Sequence, residues 1–345
     1  MIKNRIYSLV KPGSFVEKTT QIDENTDAVL VRPRFLSICH ADQRYYQGQR
    51  APEVLAKKLP MALIHEGIGE VLRDPKGEFQ EGMLVAMVPN TPVEEDEIIA
   101  ENYLRSSKFR ASGFDGFMQD VIDMERSRLV PLPEGVDTTV AAFTELAAVS
   151  YHTINRFDRF SHARRNRIGV WGDGNLAYIT SLLLKSRFPE YEVCVFGIDE
   201  TKMKDFTFAD GVYNCGSIPE DLRVDHAFEC VGNAASGIAI NQIIDFIHPE
   251  GTIAIMGVSE ELVPIHTRMV LEKGLRIFGS SRCGVDDFRD LLDLYRCEPD
   301  VAEQMKKIVG EIVTIRTMED MNAAFEADAA MPGGKTVMIW EKEAE

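Results

Sequence analysis

The chain has 345 residues, 45% hydrophobic and 27% charged, with 38 basic against 55 acidic side chains and a formal net charge of −17. That length allows two domains with separate cores, and the balance excludes disordered and collagen-like classes. The acidic excess opposes nonspecific binding to nucleic acid or to an anionic membrane, whereas a small phosphorylated substrate needs only a few local cations.

The opening stretch, MIKNRIYSLVKPG, has no apolar run of signal-peptide length, and no later run is long enough to span a membrane, so a cytoplasmic location is expected. Residues 1 to about 145 read as strands and turns. Asp27-Ala-Val-Leu-Val-Arg32, Gly67-Ile-Gly-Glu-Val-Leu72 and Met83-Leu-Val-Ala-Met-Val88 alternate with Gly and Pro, which predicts a barrel-like all-β domain. After Pro131-Leu-Pro133-Glu-Gly135, apolar residues at helical spacing from Thr139 to Phe157 predict a helix and a domain boundary. From Arg167 to about Ser281, apolar strands (IGVWG, VCVFG, VDHAFECVG, GTIAIMGV, LRIFGSS) alternate with helical stretches near Leu176–Ser186 and Ala235–Ile247, the pattern of an α/β fold with a parallel sheet and crossover helices. From about Asp286 an amphipathic helix leads to a last strand, Lys335-Thr-Val-Met-Ile-Trp340, assigned back to the first domain. The expected division is 1–147 with 286–345, and 148–285. Cys39, Cys194, Cys215, Cys230, Cys283 and Cys297 have no paired spacing that would suggest a disulfide framework.

Gly172-Asp173-Gly174-Asn175-Leu176-Ala177 follows a predicted strand and opens a predicted helix, the context that a G-x-G-x-x-G/A dinucleotide fingerprint requires. Gly172 suits the tight turn, and Gly174 lets the backbone approach a pyrophosphate held by free N–H groups at the helix start. The next strand ends at Phe196-Gly197, where an acidic side chain would bond the ribose 2′-hydroxyl of NAD. Glycine there favours NADP, with Lys202 as a phosphate partner. A slip of two or three residues, to Asp199 or Glu200, would restore NAD.

Three separated pieces carry metal chemistry: Cys39-His40-Ala41-Asp42, His65-Glu66-Gly67 and Thr144-Glu145-Leu146-Ala147. Thiolate, imidazole and carboxylate suit Zn²⁺, and a catalytic zinc keeps one position open. Each piece alone also fits a buried structural residue or a solvated charge. Their joint occurrence ahead of the dinucleotide fingerprint is what points to a metal.

Together these pieces resemble the zinc-dependent medium-chain dehydrogenases, above all the sorbitol dehydrogenase branch, over essentially the whole chain. The resemblance implies a GroES-like β-rich catalytic domain bearing zinc, followed by a doubly wound Rossmann domain bearing NAD(P). It makes Cys39 and His65 zinc ligands, Glu66 and Glu145 ligands or partners of the zinc-bound water, and Asp42 the residue that orients the site. Two departures stand out. Pro89 to Gly116 lacks the four cysteines of a structural zinc lobe, so one zinc per chain is expected. Ala41 replaces the usual Ser or Thr of the proton relay, which leaves His40, Tyr45 or a water held by Glu145.

Longer strings, Ser37-Ile-Cys39, Ala41-Asp-Gln-Arg-Tyr-Tyr46, Leu59-Pro-Met-Ala-Leu-Ile-His-Glu-Gly67, Met87-Val-Pro-Asn-Thr-Pro92, Ala100-Glu-Asn-Tyr-Leu104, Gly116-Phe-Met-Gln-Asp120 and Asp225-His-Ala-Phe-Glu-Cys-Val-Gly232, resemble the bacterial ribulose-5-phosphate reductases, also called ribitol-5-phosphate dehydrogenases. This implies NADPH-dependent reduction of ribulose 5-phosphate, with zinc polarising the C2 carbonyl, to supply CDP-ribitol for teichoic-acid-type polymers. Arg44, in the run Arg44 to Arg50, is then the candidate phosphate contact, and a homodimer working beside a cytidylyltransferase is expected. An NAD-dependent oxidation of a free polyol is the alternative within this chemistry. A noncatalytic NADPH-binding protein on the same fold is the alternative of another class.

Overall fold

The computed structural model describes residues 1–342. Residues 149–282 form one compact unit, and residues 1–148 with those from 283 onward form the other. These limits lie one and three residues from the expected divisions.

The discontinuous unit is β-rich, in keeping with its short, Gly- and Pro-punctuated apolar runs. Strands Ile2–Lys11 and Ser14–Ile22 form a hairpin that the sequence reading did not anticipate. The larger sheet runs in the order Leu129–Pro131, Leu84–Met87, Glu66–Arg73, Val29–Ser37, Lys335–Trp340, Val309–Ile315. The last strand is therefore interior, antiparallel to Val29–Ser37 and parallel to Val309–Ile315. Two unpredicted short helices, His40–Tyr46 and Pro52–Lys58, follow Val29–Ser37. Tyr7, Phe117, Phe325 and Trp340 are wholly buried in the core, with Tyr7 and Trp340 edge to face at 5.7 Å. Each such side chain contributes on the order of 1.5–3 kcal/mol through burial.

The second unit holds a six-stranded, all-parallel sheet. Its order is Gly211–Asn214, Glu192–Gly197, Arg167–Trp171, Val224–Glu229, Ile247–Ile255, Arg276–Gly279. Numbered along the chain this is 3-2-1-4-5-6, the Rossmann order, whose direction reverses between Arg167–Trp171 and Val224–Glu229. Helices Asn175–Arg187 and Ala235–Phe246 are the predicted crossovers. Every residue of Val224–Glu229 is buried, as expected for a strand covered on both faces. Its polar members are all answered. Asp225 accepts from Arg164 Nε (2.7 Å) and the Arg167 amide (3.2 Å), and Glu229 accepts from the amides of Val231, Gly232 and Gly257 at 2.9–3.1 Å.

Candidate active site

Adjacent strands of the larger sheet lay down the metal-type donors. Ser37 pairs with Glu66, so the chain leaving Val29–Ser37 places Cys39 beside the start of Glu66–Arg73. Cys39 caps helix His40–Tyr46, and Asp42 in its first turn closes the geometry. One Asp42 oxygen accepts the Ile64 amide (3.0 Å), and the other lies 3.3 Å from His65 Nδ1. That contact directs His65 Nε2 toward Glu145 Oε2, 3.9 Å away on the first turn of helix Thr144–Phe160. Ligand atoms of Cys39, Asp42 and His65 lie within 4.8 Å of one another, and so do those of His65, Glu66 and Glu145.

The electrostatics of this cluster call for a cation. Burial pushes the Cys39 thiol up, and so does the Glu66 carboxylate. Burial likewise pushes the Glu145 carboxyl up. Burial alone would lower His65, but Asp42 and Cys39 hold it well above the usual histidine value. Glu66 is wholly buried, with Lys335 Nζ 2.8 Å from its Oε2 and no partner for Oε1. A divalent metal fits such a set, replacing protons on sulfur and nitrogen and answering the remaining carboxylate oxygen.

The dinucleotide fingerprint stands at the switch point of the parallel sheet. Gly172 has a φ of +134°, and a Cβ there would sit 3.2 Å from both Ala177 Cβ and the Cys230 carbonyl oxygen. Gly174 precedes helix Asn175–Arg187, with open space around it. Asp173 turns aside, and its Oδ2 accepts the amides of Ile198 (2.7 Å) and Asp199 (2.8 Å). It thereby staples the fingerprint to the end of strand Glu192–Gly197. Gly197 is tightly enclosed, since a Cβ there would lie 2.9 Å from Asp173 Cβ and 3.0 Å from Met203 Cγ. Asp199 caps the short helix Glu200–Met203, which carries Lys202 3.9 Å from Asp199 Oδ2.

Residues 25–134 match the alcohol dehydrogenase GroES-like domain, and residues 200–296 match the zinc-binding dehydrogenase domain. Ribulose-5-phosphate reductase 1 of Staphylococcus aureus is 51% identical over 98% of this chain and 99% of its own length. Ribulose-5-phosphate reductase of Bacillus spizizenii is 52% identical over 98% and 99%. This chain belongs to the zinc-binding dehydrogenases. It is an oxidoreductase acting on CH–OH groups. The solved structure of S. aureus TarJ in complex with NADPH superposes on this dehydrogenase with a TM-score of 0.89, at 47% identity, covering 98% of this chain and 99% of that one.

Among the described residues of the dehydrogenase, the metal-type donors form two triads that share His65, Cys39–Asp42–His65 and His65–Glu66–Glu145. His40 begins the short helix, and partial burial followed by the Arg44 charge lowers its pKa. Arg44 is buried on the same helix. Tyr45 is buried on the same helix, with the Arg50 guanidinium 4.8 Å above its ring. Sequence reasoning missed Lys335 entirely. This wholly buried lysine lies 2.8 Å from Glu66 Oε2. The only signal for it was a charge at the head of an otherwise apolar strand.

Proposed function

We propose that this dehydrogenase reduces ribulose 5-phosphate to ribitol 5-phosphate with NADPH, at a metal centre drawn from Cys39, His65, Glu66 and Glu145. The observation that carries this reading is a pair of buried donor triads that share His65, Cys39–Asp42–His65 and His65–Glu66–Glu145, with the ligand atoms of each within 4.8 Å of one another. Zinc bound there supplies a Lewis acid for the C2 carbonyl. Asp42 fixes the His65 ring from behind, which leaves Nε2 as the coordinating nitrogen. The backbone after Gly174 offers amides to the cofactor pyrophosphate. Gly197 puts no carboxylate of its own at the end of strand Glu192–Gly197, which favours a 2′-phosphate, with Lys202 on the following turn.

Hydride passes from the nicotinamide to C2, and the oxygen takes up a proton. Ala41 has no hydroxyl, so His40, Tyr45 and a water held by Glu145 are the candidate routes for that proton. Arg44, whose charge reaches His40, is the candidate contact for the substrate phosphate, since a guanidinium fork suits phosphate oxygens. The product supplies ribitol phosphate for a cytidylyltransferase that makes CDP-ribitol, and the working form is a cytoplasmic homodimer. Metal analysis combined with a turnover assay tests the reading. About one zinc per chain is expected, with faster reduction of ribulose 5-phosphate by NADPH than by NADH. Zinc-loaded protein that leaves ribulose 5-phosphate untouched, or that prefers an unphosphorylated ketose, overturns it.

A further inference from the structure

The parallel sheet reverses between Arg167–Trp171 and Val224–Glu229, and a dinucleotide laid across such a switch point puts one mononucleotide on each half. Strands Arg167–Trp171, Glu192–Gly197 and Gly211–Asn214 take the adenosine end, because the ribose 2′ position is met at the end of the second strand. Strands Val224–Glu229, Ile247–Ile255 and Arg276–Gly279 are the half left for the nicotinamide end. In each half a carboxylate ties two strand ends together. In the first it is Asp173, on the amides of Ile198 and Asp199. In the second it is Glu229, wholly buried and the last residue of its strand.

Glu229 spans two loops. Its Oε1 accepts the amides of Val231 (2.9 Å) and Gly232 (3.0 Å), and its Oε2 accepts that of Gly257 (3.1 Å). Pairing between the two strands ends at Glu229 and Ile255, so the carboxylate orders backbone beyond the ladder, on the side where ligands bind. The fit is close. A Cβ on Gly257 would lie 2.5 and 2.8 Å from the two carboxylate oxygens and would collide with the Gly232 nitrogen. Gly232 takes a φ of +75°, and the Asn233 amide after it donates to the Val258 carbonyl (2.8 Å). The same loop abuts the fingerprint, since a Cβ on Gly172 would come within 3.2 Å of the Cys230 carbonyl oxygen.

We propose that Glu229 is a positioning residue for the nicotinamide half of NADPH: it fixes the loops after Val224–Glu229 and Ile247–Ile255 in the shape that receives that half. A glutamine of the same shape would turn an N–H toward one of the three amides and release a loop. The two ends of the cofactor can be weighed separately, because adenosine 2′,5′-bisphosphate carries the 2′-phosphate and no nicotinamide. In E229Q the Kd for NADPH, read by fluorescence titration, should rise about tenfold as a charged hydrogen bond is lost. The Kd for adenosine 2′,5′-bisphosphate, read by calorimetry, should stay within about twofold of wild type. A role confined to holding the unit together predicts matched losses for both ligands. That outcome, or unchanged NADPH affinity in folded E229Q protein, overturns the proposal. Should E229Q fail to fold, E229D takes its place: it keeps the charge but shortens the reach, with the same split expected and the same outcomes against it. No substrate enters these measurements, so they stand apart from the reading of ribulose 5-phosphate.

Discussion

Strand Val224–Glu229 and the cluster around His65 bury charged groups in different ways. On strand Val224–Glu229, Asp225, His226 and Glu229 are all buried, and all are answered by backbone or by arginine. In the metal-bearing unit, Glu66 is buried with Lys335 as its ion-pair partner and no partner for Oε1, and His65 is held toward its charged form beside a buried thiol. A buried thiol, imidazole and carboxylates crowded together are a set that a bound cation stabilises.

The largest test of that contrast is Cys39→Ala. It should remove zinc and lower kcat/KM by on the order of a thousandfold, while NADPH binding, which depends on the other unit, stays near wild type by fluorescence titration. Loss of NADPH binding in zinc-loaded C39A protein would break the separation. Next in size is a pH effect from the satisfied strand. His226 accepts the Thr252 amide at Nδ1 (3.1 Å), and its Nε2 meets the His162 carbonyl (3.2 Å), which holds the ring neutral. Burial, followed by the neighbouring His162, pushes its pKa from 6.5 down to about 4. Between those values the unfolded chain binds a proton that the folded one refuses. The contribution is therefore complete above about pH 6.5 and is lost as pH falls toward about 4, by roughly 3 kcal/mol. Urea midpoints at pH 7 and pH 5 should show this, and H226Q should flatten the difference. Equal pH dependence in both proteins would remove His226 from the account.

Arg44→Ala is a smaller test, confined to the substrate end. The KM for ribulose 5-phosphate should rise about tenfold or more as a charged hydrogen bond is lost, with zinc content and the KM for NADPH unchanged. An unaltered KM for the phosphorylated ketose moves the phosphate contact elsewhere. Gly172→Ala should act only in the dinucleotide unit. A side chain at φ +134° costs about 1–3 kcal/mol, enough to weaken NADPH binding by roughly tenfold without touching zinc. A G172A protein that loses zinc instead would show that the two sites are not independently built.

The same contrast explains what could be read before the structure. The fingerprint from Gly172 to Ala177 is contiguous, and strand, turn and helix each leave their own periodicity, so its elements were legible within a residue or two. Cys39, His65 and Glu145 are more than a hundred residues apart end to end, and only the resemblance to zinc-dependent dehydrogenases joined them. Lys335 was illegible because its partner, Glu66, meets it only through strand pairing. The same holds for the staple between Asp173 and the amides of Ile198 and Asp199. The hairpin Ile2–Lys11 and Ser14–Ile22 was missed because Glu17-Lys-Thr-Thr-Gln21 is exposed and polar on both faces. Strand Gly211–Asn214 was missed because it is short and lies at the sheet edge.

The interior placement of strand Lys335–Trp340 sets an order of events during synthesis. A chain emerging from its N-terminus exposes Cys39, His65, Glu66 and Glu145 early, and residues 149–282 can close their parallel sheet while the first unit still lacks a central strand. The metal-type donors therefore wait, unsheltered, for nearly two hundred further residues before the strand that completes their sheet, and the lysine that faces Glu66, are made. The strand that completes the sheet under the metal-type donors is thus the last of its strands to be made.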